Sequence, residues 1–333
     1  MSESIKEKKV FVTGADGFIG SHLVELLVRS GASVRGLVYY NSWNECGWLK
    51  ELDRSVLAEV EQVAGDIRDA DLIRKSTEGC EYVFHLSSLI AIPYSYVAPR
   101  SYLDTNAGGA VNILQACREN PSLRRLVHVS TSEVYGTAQT VPIAESHPLV
   151  GQSPYSASKI AADKLVESFH LSFGLPVVTA RPFNTYGPRQ TARAVIPTIA
   201  SQLLAGSKQL KLGSLTPTRD FNFVHDTARG MLALALCKQA EGKVVNIGSG
   251  EEWSIAQTVE LLREITGNRA EIVSEVARIR PENSEVNRLL ADNRLMAELT
   301  GWKSEVSFRD GLSQTVEWIK RNLGHFNIGE YSR

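Results

Sequence analysis

Residues 9–20 read KVFVTGADGFIG. A short apolar run ends in a glycine-rich turn, and an apolar helical pattern then runs to about Ser30. Gly14 permits the tight turn, Gly17 lets backbone N–H groups approach a pyrophosphate, and Gly20 allows close helix packing, with the helix N-terminus facing the anion. The spacing is GxxGxxG rather than GxGxxG, yet strand, glycines and helix agree on a dinucleotide site opening a βαβ unit.

The same rhythm continues outward. A second strand, Ser33 to Val38, should end on the residue that reads the adenosine ribose, where an acid favours NAD and a base NADP. Val38, Tyr39, Tyr40 and Asn41 stand there instead. Cofactor choice stays open, leaning to NAD because no Arg or Lys waits at residues 38–42 for a 2′-phosphate. The loop that follows carries Trp43, Asn44 and Trp48, and its length suggests a cover. After a third strand, Asp66 is placed either to accept the adenine amino group, with Ile67 packed on the ring, or simply to cap the next helix. Strand four, Tyr82 to Leu86, runs into Ser87 and Ser88, small enough to let a cofactor pass. Asn106 begins a helix, Ala107 to Arg118, and strand five is Arg125 to Ser130. This alternation predicts an α/β fold, a Rossmann-type doubly wound parallel sheet.

Two stretches carry the chemistry. Strand five ends in VSTSEVYG, residues 129–136, and ligands gather at the carboxyl ends of such strands, which favours Thr131, Ser132 and Glu133. The stretch SPYSASK, residues 153–159, then sets Tyr155 and Lys159 one helical turn apart on a common face. An ammonium beside a phenol lowers its pKa, and each unit raises the phenolate fraction roughly tenfold. Thr131, Tyr155 and Lys159 are expected to converge, Thr131 bonding a reacting alcohol and Tyr155 exchanging its proton.

Composition narrows the setting. With 36 basic and 37 acidic residues among 333 and no dense Lys/Arg block, a nucleic-acid surface is unsupported. The four cysteines lack CxxC spacing, which suits unpaired thiols and no metal site. No apolar run is long enough to span a bilayer. The expectation is a cytoplasmic protein.

Taken in order, GADGFIG, the GDI turn, HLSS, VSTSEVYG, PYSASK and RPFNTYGP resemble the extended short-chain dehydrogenase/reductase superfamily. TSE before VYG resembles its nucleotide-sugar 4,6-dehydratase branch. RQTARAVIPTI and RIRPENSEVNRLLAD resemble bacterial dehydratases of UDP- or GDP-linked N-acetylglucosamine. The resemblance implies that Gly14, Gly17, Phe18, Ile19, Gly20, Asp66, Ile67, Leu86, Ser87 and Ser88 bind NAD, or NADP, together with Tyr155 and Lys159. It implies that Asn184, Arg193, Arg219, Arg280 and Glu285 bind the nucleotide-sugar, and that the chain forms a homodimer through the helices carrying residues 107–118 and 155–173. Residues 1–183 are then the dinucleotide-binding domain, into which strands of the second half can return, and 184–333 mainly a smaller C-terminal substrate-binding lobe.

Glu133 bears on the reaction. Once C4 of a hexose is a ketone, a positioned carboxylate can remove the C5 proton, and loss of the C6 hydroxyl leaves an unsaturated ketone that hydride return to C6 completes. Some dehydratases of the branch carry Asp where this chain has Ser132, so the proton for O6 must come through Ser132 from water or from Glu133. Competing expectations are a decarboxylase or 4-epimerase on the same scaffold, and a silent nucleotide-sugar sensor.

Overall fold

The computed structural model describes residues 3–275, 278 and 284–328. Its centre is a parallel sheet built from β1 (Lys9–Thr13), β2 (Ser33–Tyr39), β3 (Val60–Gly65), β4 (Tyr82–His85), β5 (Arg125–Val129) and β6 (Val177–Pro182), with a seventh strand, Val244–Ile247. The spatial order is the seventh strand, then β6, β5, β4, β1, β2 and β3. Chain order reverses at β1, which pairs with both β2 and β4. Helices leaving the two sides there diverge, and a crevice opens at the carboxyl ends of the strands.

β4, β5 and β6 are buried along their whole length because both faces of the sheet are covered there, whereas the edge strand β3 is largely exposed. Val10, Val12, Leu23, Leu27, Val127 and Val245 belong to one core, while Phe11, Val83, Leu126, Ile113 and Val166 belong to the other. The seventh strand comes from the second half of the chain and lies against β6, Val244 beside Thr179. The sequence rhythm after Arg189 gives little sign of it.

Much of the rest of that half forms a separate core. The helices Val195–Leu204, Ile255–Thr266 and Phe308–Arg321 close on Tyr186, Phe221 and Phe223. Phe221 and Phe308 stack with ring centroids 5.2 Å apart. Trp48, from the loop after β2, reaches this core and meets Trp318 edge-on at 5.3 Å. The loop therefore ties the sheet to the lobe, with Trp43 left exposed.

The helix carrying Tyr155 and Lys159, Pro154–Phe173, has a start written in its sequence. Ser153 and Ser156 form a reciprocal capping box, Pro154 takes the first turn, and Gly174 at φ 64° ends the helix. The helix expected from Asn106 begins earlier. Pro99–Tyr102 leads through a wide π turn, Leu103–Gly108, into Gly109–Glu119. Such turns add a residue to the helical circuit, and Asn106, inside this one, is buried.

Candidate active site

The crevice is a cleft of about 1050 Å³, walled on one side by the sheet and on the other by the lobe. On the sheet side the glycines allow a tight turn packed closely on the helix that follows. A Cβ on Gly20 would lie 1.9 Å from Gly14 O, so the turn closes onto the helix Phe18–Arg29 only with glycine there. Gly14 sits at φ +68°, and a Cβ on it would stand 3.0 Å from Ser87 N. Gly17 caps that helix with no side-chain bond, and Phe18 and Ile19 in its first turn line the cleft. The helix N-terminus, its bare glycine backbone and the adjoining Leu86, Ser87 and Ser88 line the cleft together and fit the pyrophosphate of a dinucleotide.

What holds residues 86–88 beside this turn is less legible in the sequence. Thr13 Oγ1 accepts from Leu86 N–H and Ser87 N–H, 3.1 Å each, so its own proton goes to His85 Nδ1 at 2.9 Å. Burial, with the charges of His128 and Lys159, holds His85 well below its usual pKa, and it stays neutral. Asn106 accepts from Leu89 N–H at 2.8 Å and donates to Leu89 O and Ser158 Oγ, fastening the next residues to the Tyr155 helix.

Asp66 and Ile67 both line the cleft. Both Asp66 oxygens are engaged by the Arg68 guanidinium, and Asp69, not Asp66, caps the helix Ala70–Thr77. Ile67 fills the space over Gly109, where a Cβ would lie 2.8 Å from its Cγ1.

Thr131, Ser132, Glu133, Tyr155 and Lys159 all line the cleft. Thr131 caps a single turn, Ser132–Tyr135, by accepting from Glu133 N–H at 3.2 Å. Its proton remains available to Tyr155. Burial pushes the Tyr155 phenol well above its ordinary range, the Thr131 hydrogen bond opposes this, and the nearby Glu133 carboxylate adds to it. Tyr102 packs edge-on against the Tyr155 ring at 6.3 Å. Lys159 donates to Val129 O at 2.8 Å and Ser88 Oγ at 3.1 Å. Burial lowers its pKa to about 8, and Asp163, one turn further along, resists the fall. Burial also works against the Asp163 carboxylate, but His128, its Nε2 3.4 Å from Asp163 Oδ1, and the Arg181 charge hold its pKa below the usual range. Arg181 Nη2 lies 2.9 Å from Asp163 Oδ2. This buried pair went unread in the sequence, although Asp163 repeats the four-residue step from Tyr155 to Lys159.

On the lobe side, Asn184 opens a short strand, Asn184–Tyr186, paired with Phe221–Phe223. Asn184 lines the cleft with its buried Oδ1 lacking a hydrogen-bond donor among the described residues. A buried acceptor in that state favours a ligand that donates to it. Arg219 is buried in the wall, its Nη2 3.5 Å from Glu285 Oε1, which places Glu285 behind it. Arg193 is exposed at the rim, with Nε 3.4 Å from Thr191 Oγ1. Arg280 lies outside the described residues.

A latch that sequence reasoning missed fixes the loop before Arg193 onto the glycine-loop helix. His22 Nε2 donates to Pro188 O at 3.0 Å, and Arg189, at φ 69°, pairs with Glu25 at 2.9 Å. Burial lowers the His22 pKa to about 3, which keeps the ring neutral.

The model of the GDP-mannose 4,6 dehydratase family matches residues 11–315. A dTDP-glucose 4,6-dehydratase of Actinoplanes sp. is 34% identical over 319 residues, 94% of this chain and 98% of that protein. The dTDP-D-glucose 4,6-dehydratase of Homo sapiens is 30% identical over 323 residues, 95% of this chain and 91% of that protein. Among solved structures, a UDP-glucuronic acid 4-epimerase from Bacillus cereus, in complex with UDP-glucuronic acid and NAD, has a TM-score of 0.85 at 29% identity, with 94% of this chain and 99% of that chain covered.

Proposed function

The chain belongs to the GDP-mannose 4,6 dehydratase family, and on that premise we propose that it is an NAD-dependent nucleotide-sugar 4,6-dehydratase. The observation that carries this reading is the carboxylate residue Glu133 lining one cleft with Thr131, Tyr155 and Lys159. A redox triad alone serves any exchange at C4. A carboxylate beside it adds a base for C5.

Gly14, Gly17, the first turn of the following helix, Ser87 and Ser88 would hold the dinucleotide, with Lys159 at its ribose. NAD, when bound, accepts hydride from C4 and returns it at C6, which no side chain here can do. Tyr155 takes the proton of the C4 hydroxyl, helped by the Thr131 proton and the Lys159 charge, which favour the phenolate against burial. Glu133 then removes the C5 proton made acidic by the C4 ketone, O6 leaves as water with a proton drawn from solvent through Ser132, Glu133 returns its proton to C5, and Tyr155 releases the C4 hydroxyl proton to solvent.

Asn184, Arg193 and Arg219 would position the nucleotide-sugar diphosphate and sugar, with Glu285 steadying Arg219 or reaching a ribose. We assign the substrate to UDP- or GDP-linked hexoses, N-acetylglucosamine foremost, on the resemblance of residues 189–199 and 278–292 already described. A 4-epimerase is the second reading, supported by the likeness to the Bacillus cereus enzyme and by Ser132 where a stronger acid would assist water loss.

The test is incubation of the purified protein with UDP-N-acetylglucosamine, GDP-N-acetylglucosamine, UDP-glucose, dTDP-glucose, GDP-mannose and UDP-glucuronic acid, followed by mass spectrometry. Loss of one water from a hexose supports the dehydratase. An isomer of unchanged mass means the epimerase, and loss of carbon dioxide from the uronate means a decarboxylase.

A further inference from the structure

The adenosine ribose of a dinucleotide lies past the end of the second strand, where an acid reads its 2′-hydroxyl. β2 ends in Tyr39 and offers none. The fold supplies one from elsewhere. Asp16, in the turn between β1 and the helix Phe18–Arg29, accepts the Tyr39 N–H on Oδ2 at 3.0 Å. Its main chain is pinned as well. Asp16 O accepts from Trp48 N–H at 2.9 Å, and a Cβ on Gly47, at φ +55°, would lie 2.5 Å from that oxygen. The carboxylate is thus a fixed part of the cleft wall, next to Gly14 and Tyr39.

The charges around it agree. β2 and β3 pair with Tyr39 beside Gly65, so the residues after β3 share this end of the cleft. Among the described residues, the cation they bring to the wall is Arg68. Its guanidinium is already bound by Asp66, Nε to Oδ1 at 3.0 Å and Nη2 to Oδ2 at 2.6 Å. A 2′-phosphate would have to draw Arg68 off Asp66 and settle against a carboxylate held in place by β2.

We propose that Asp16 chooses the dinucleotide, accepting from the ribose 2′-hydroxyl of NAD and repelling the 2′-phosphate of NADP, a task that falls to the end of β2 in the general pattern. This rests on the dehydratase reading for the presence of a dinucleotide in the cleft.

The experiment is calorimetric titration of purified wild-type protein and of Asp16→Asn with NAD and with NADP. Asparagine keeps an acceptor oxygen for Tyr39 N–H and removes only the charge. Wild type should bind NAD at least tenfold more tightly, about 1.4 kcal/mol. Asp16→Asn should narrow the ratio to roughly threefold or less, chiefly by binding NADP better, as expected when a like charge is removed. Should Asp16→Asn lose its thermal unfolding transition, Asp16→Ser reads the same ratio. Equal affinities in wild type, or a ratio unchanged in a folded variant, overturn the role of Asp16 and leave the dehydratase reading standing. Failure of wild type to bind either dinucleotide overturns that reading and this one with it.

Discussion

The two walls of the cleft are built in different ways. On the sheet side, each contributing segment is short and self-contained: a glycine turn at 14–20, a strand end at 86–88, another at 131–133, one helical turn at 155–159. On the lobe side, the wall is assembled from residues distant in the chain, Arg219 with Glu285 and Asn184 on a strand paired with Phe221. Chemistry shared by many substrates needs fixed residue types at fixed spacing. Recognition of one substrate needs only a surface, which many sequences can build. If that division holds, changes on the sheet side should alter turnover or dinucleotide affinity, and changes on the lobe side should alter substrate affinity alone.

The largest effect is expected at Tyr155. Tyr155→Phe removes one hydroxyl from a ring that stays packed against Tyr102. Turnover should fall by roughly 10²–10⁴, the usual consequence of a lost general acid/base, while calorimetry shows unchanged dinucleotide affinity. A variant turning over at near the wild-type rate would remove Tyr155 from the reaction.

Next comes the glycine turn. Gly20→Ala places a methyl where Gly14 O now lies, 1.9 Å from the new Cβ. The turn must open, and dinucleotide affinity should drop on the order of 100-fold, because the backbone approach that the glycines permit is lost. Binding of free UDP or GDP, measured in the same way, should persist. Loss of both together would show that the walls are one unit.

This contrast also explains what could be read in advance. The parallel sheet and the convergence of Thr131, Glu133, Tyr155 and Lys159 rest on local patterns, and sequence reasoning reached them. It missed the Asp16 carboxylate, which bonds Tyr39 N–H from the turn after β1, since an acid was sought at residues 38–41. It missed the Thr13 to His85 bond and the Asp163 pair with Arg181, because each joins strands or a helix far apart in the chain. The seventh strand was invisible for the same reason: Val244–Ile247 is an ordinary apolar run until β6 is there to pair with it. Lys159 shows a subtler limit. Spacing put it near Tyr155, but not its hydrogen bonds to Val129 O and Ser88 Oγ.

On the lobe side, Asn184→Ala deletes the buried Oδ1 acceptor in the cleft. KM for the nucleotide-sugar should rise about tenfold, the value of one hydrogen bond of average strength, with kcat within roughly twofold and dinucleotide affinity unchanged. A matching fall in kcat would mean that Asn184 acts on the reacting carbon and belongs functionally to the other wall.

The smallest effect is a pH dependence that separates two neighbours within the sheet wall. Lys159 has its pKa lowered to about 8 by burial, with Asp163 opposing the fall. The charged form is therefore present below that pH and lost above it. The phenolate fraction of Tyr155, whose phenol burial holds well above its usual range, grows about tenfold for each unit of pH. If the ammonium supports that deprotonation, its loss above pH 8 cancels the gain, so kcat/KM should rise up to about pH 8 and flatten beyond it. Lys159→Arg decides the assignment. A guanidinium stays protonated across the whole range, so the variant, slower because the larger group fits the site less well, should keep rising where wild type flattens. A bend that persists unchanged in Lys159→Arg would assign the titration to another group and leave Lys159 as a holder of Val129 O and Ser88.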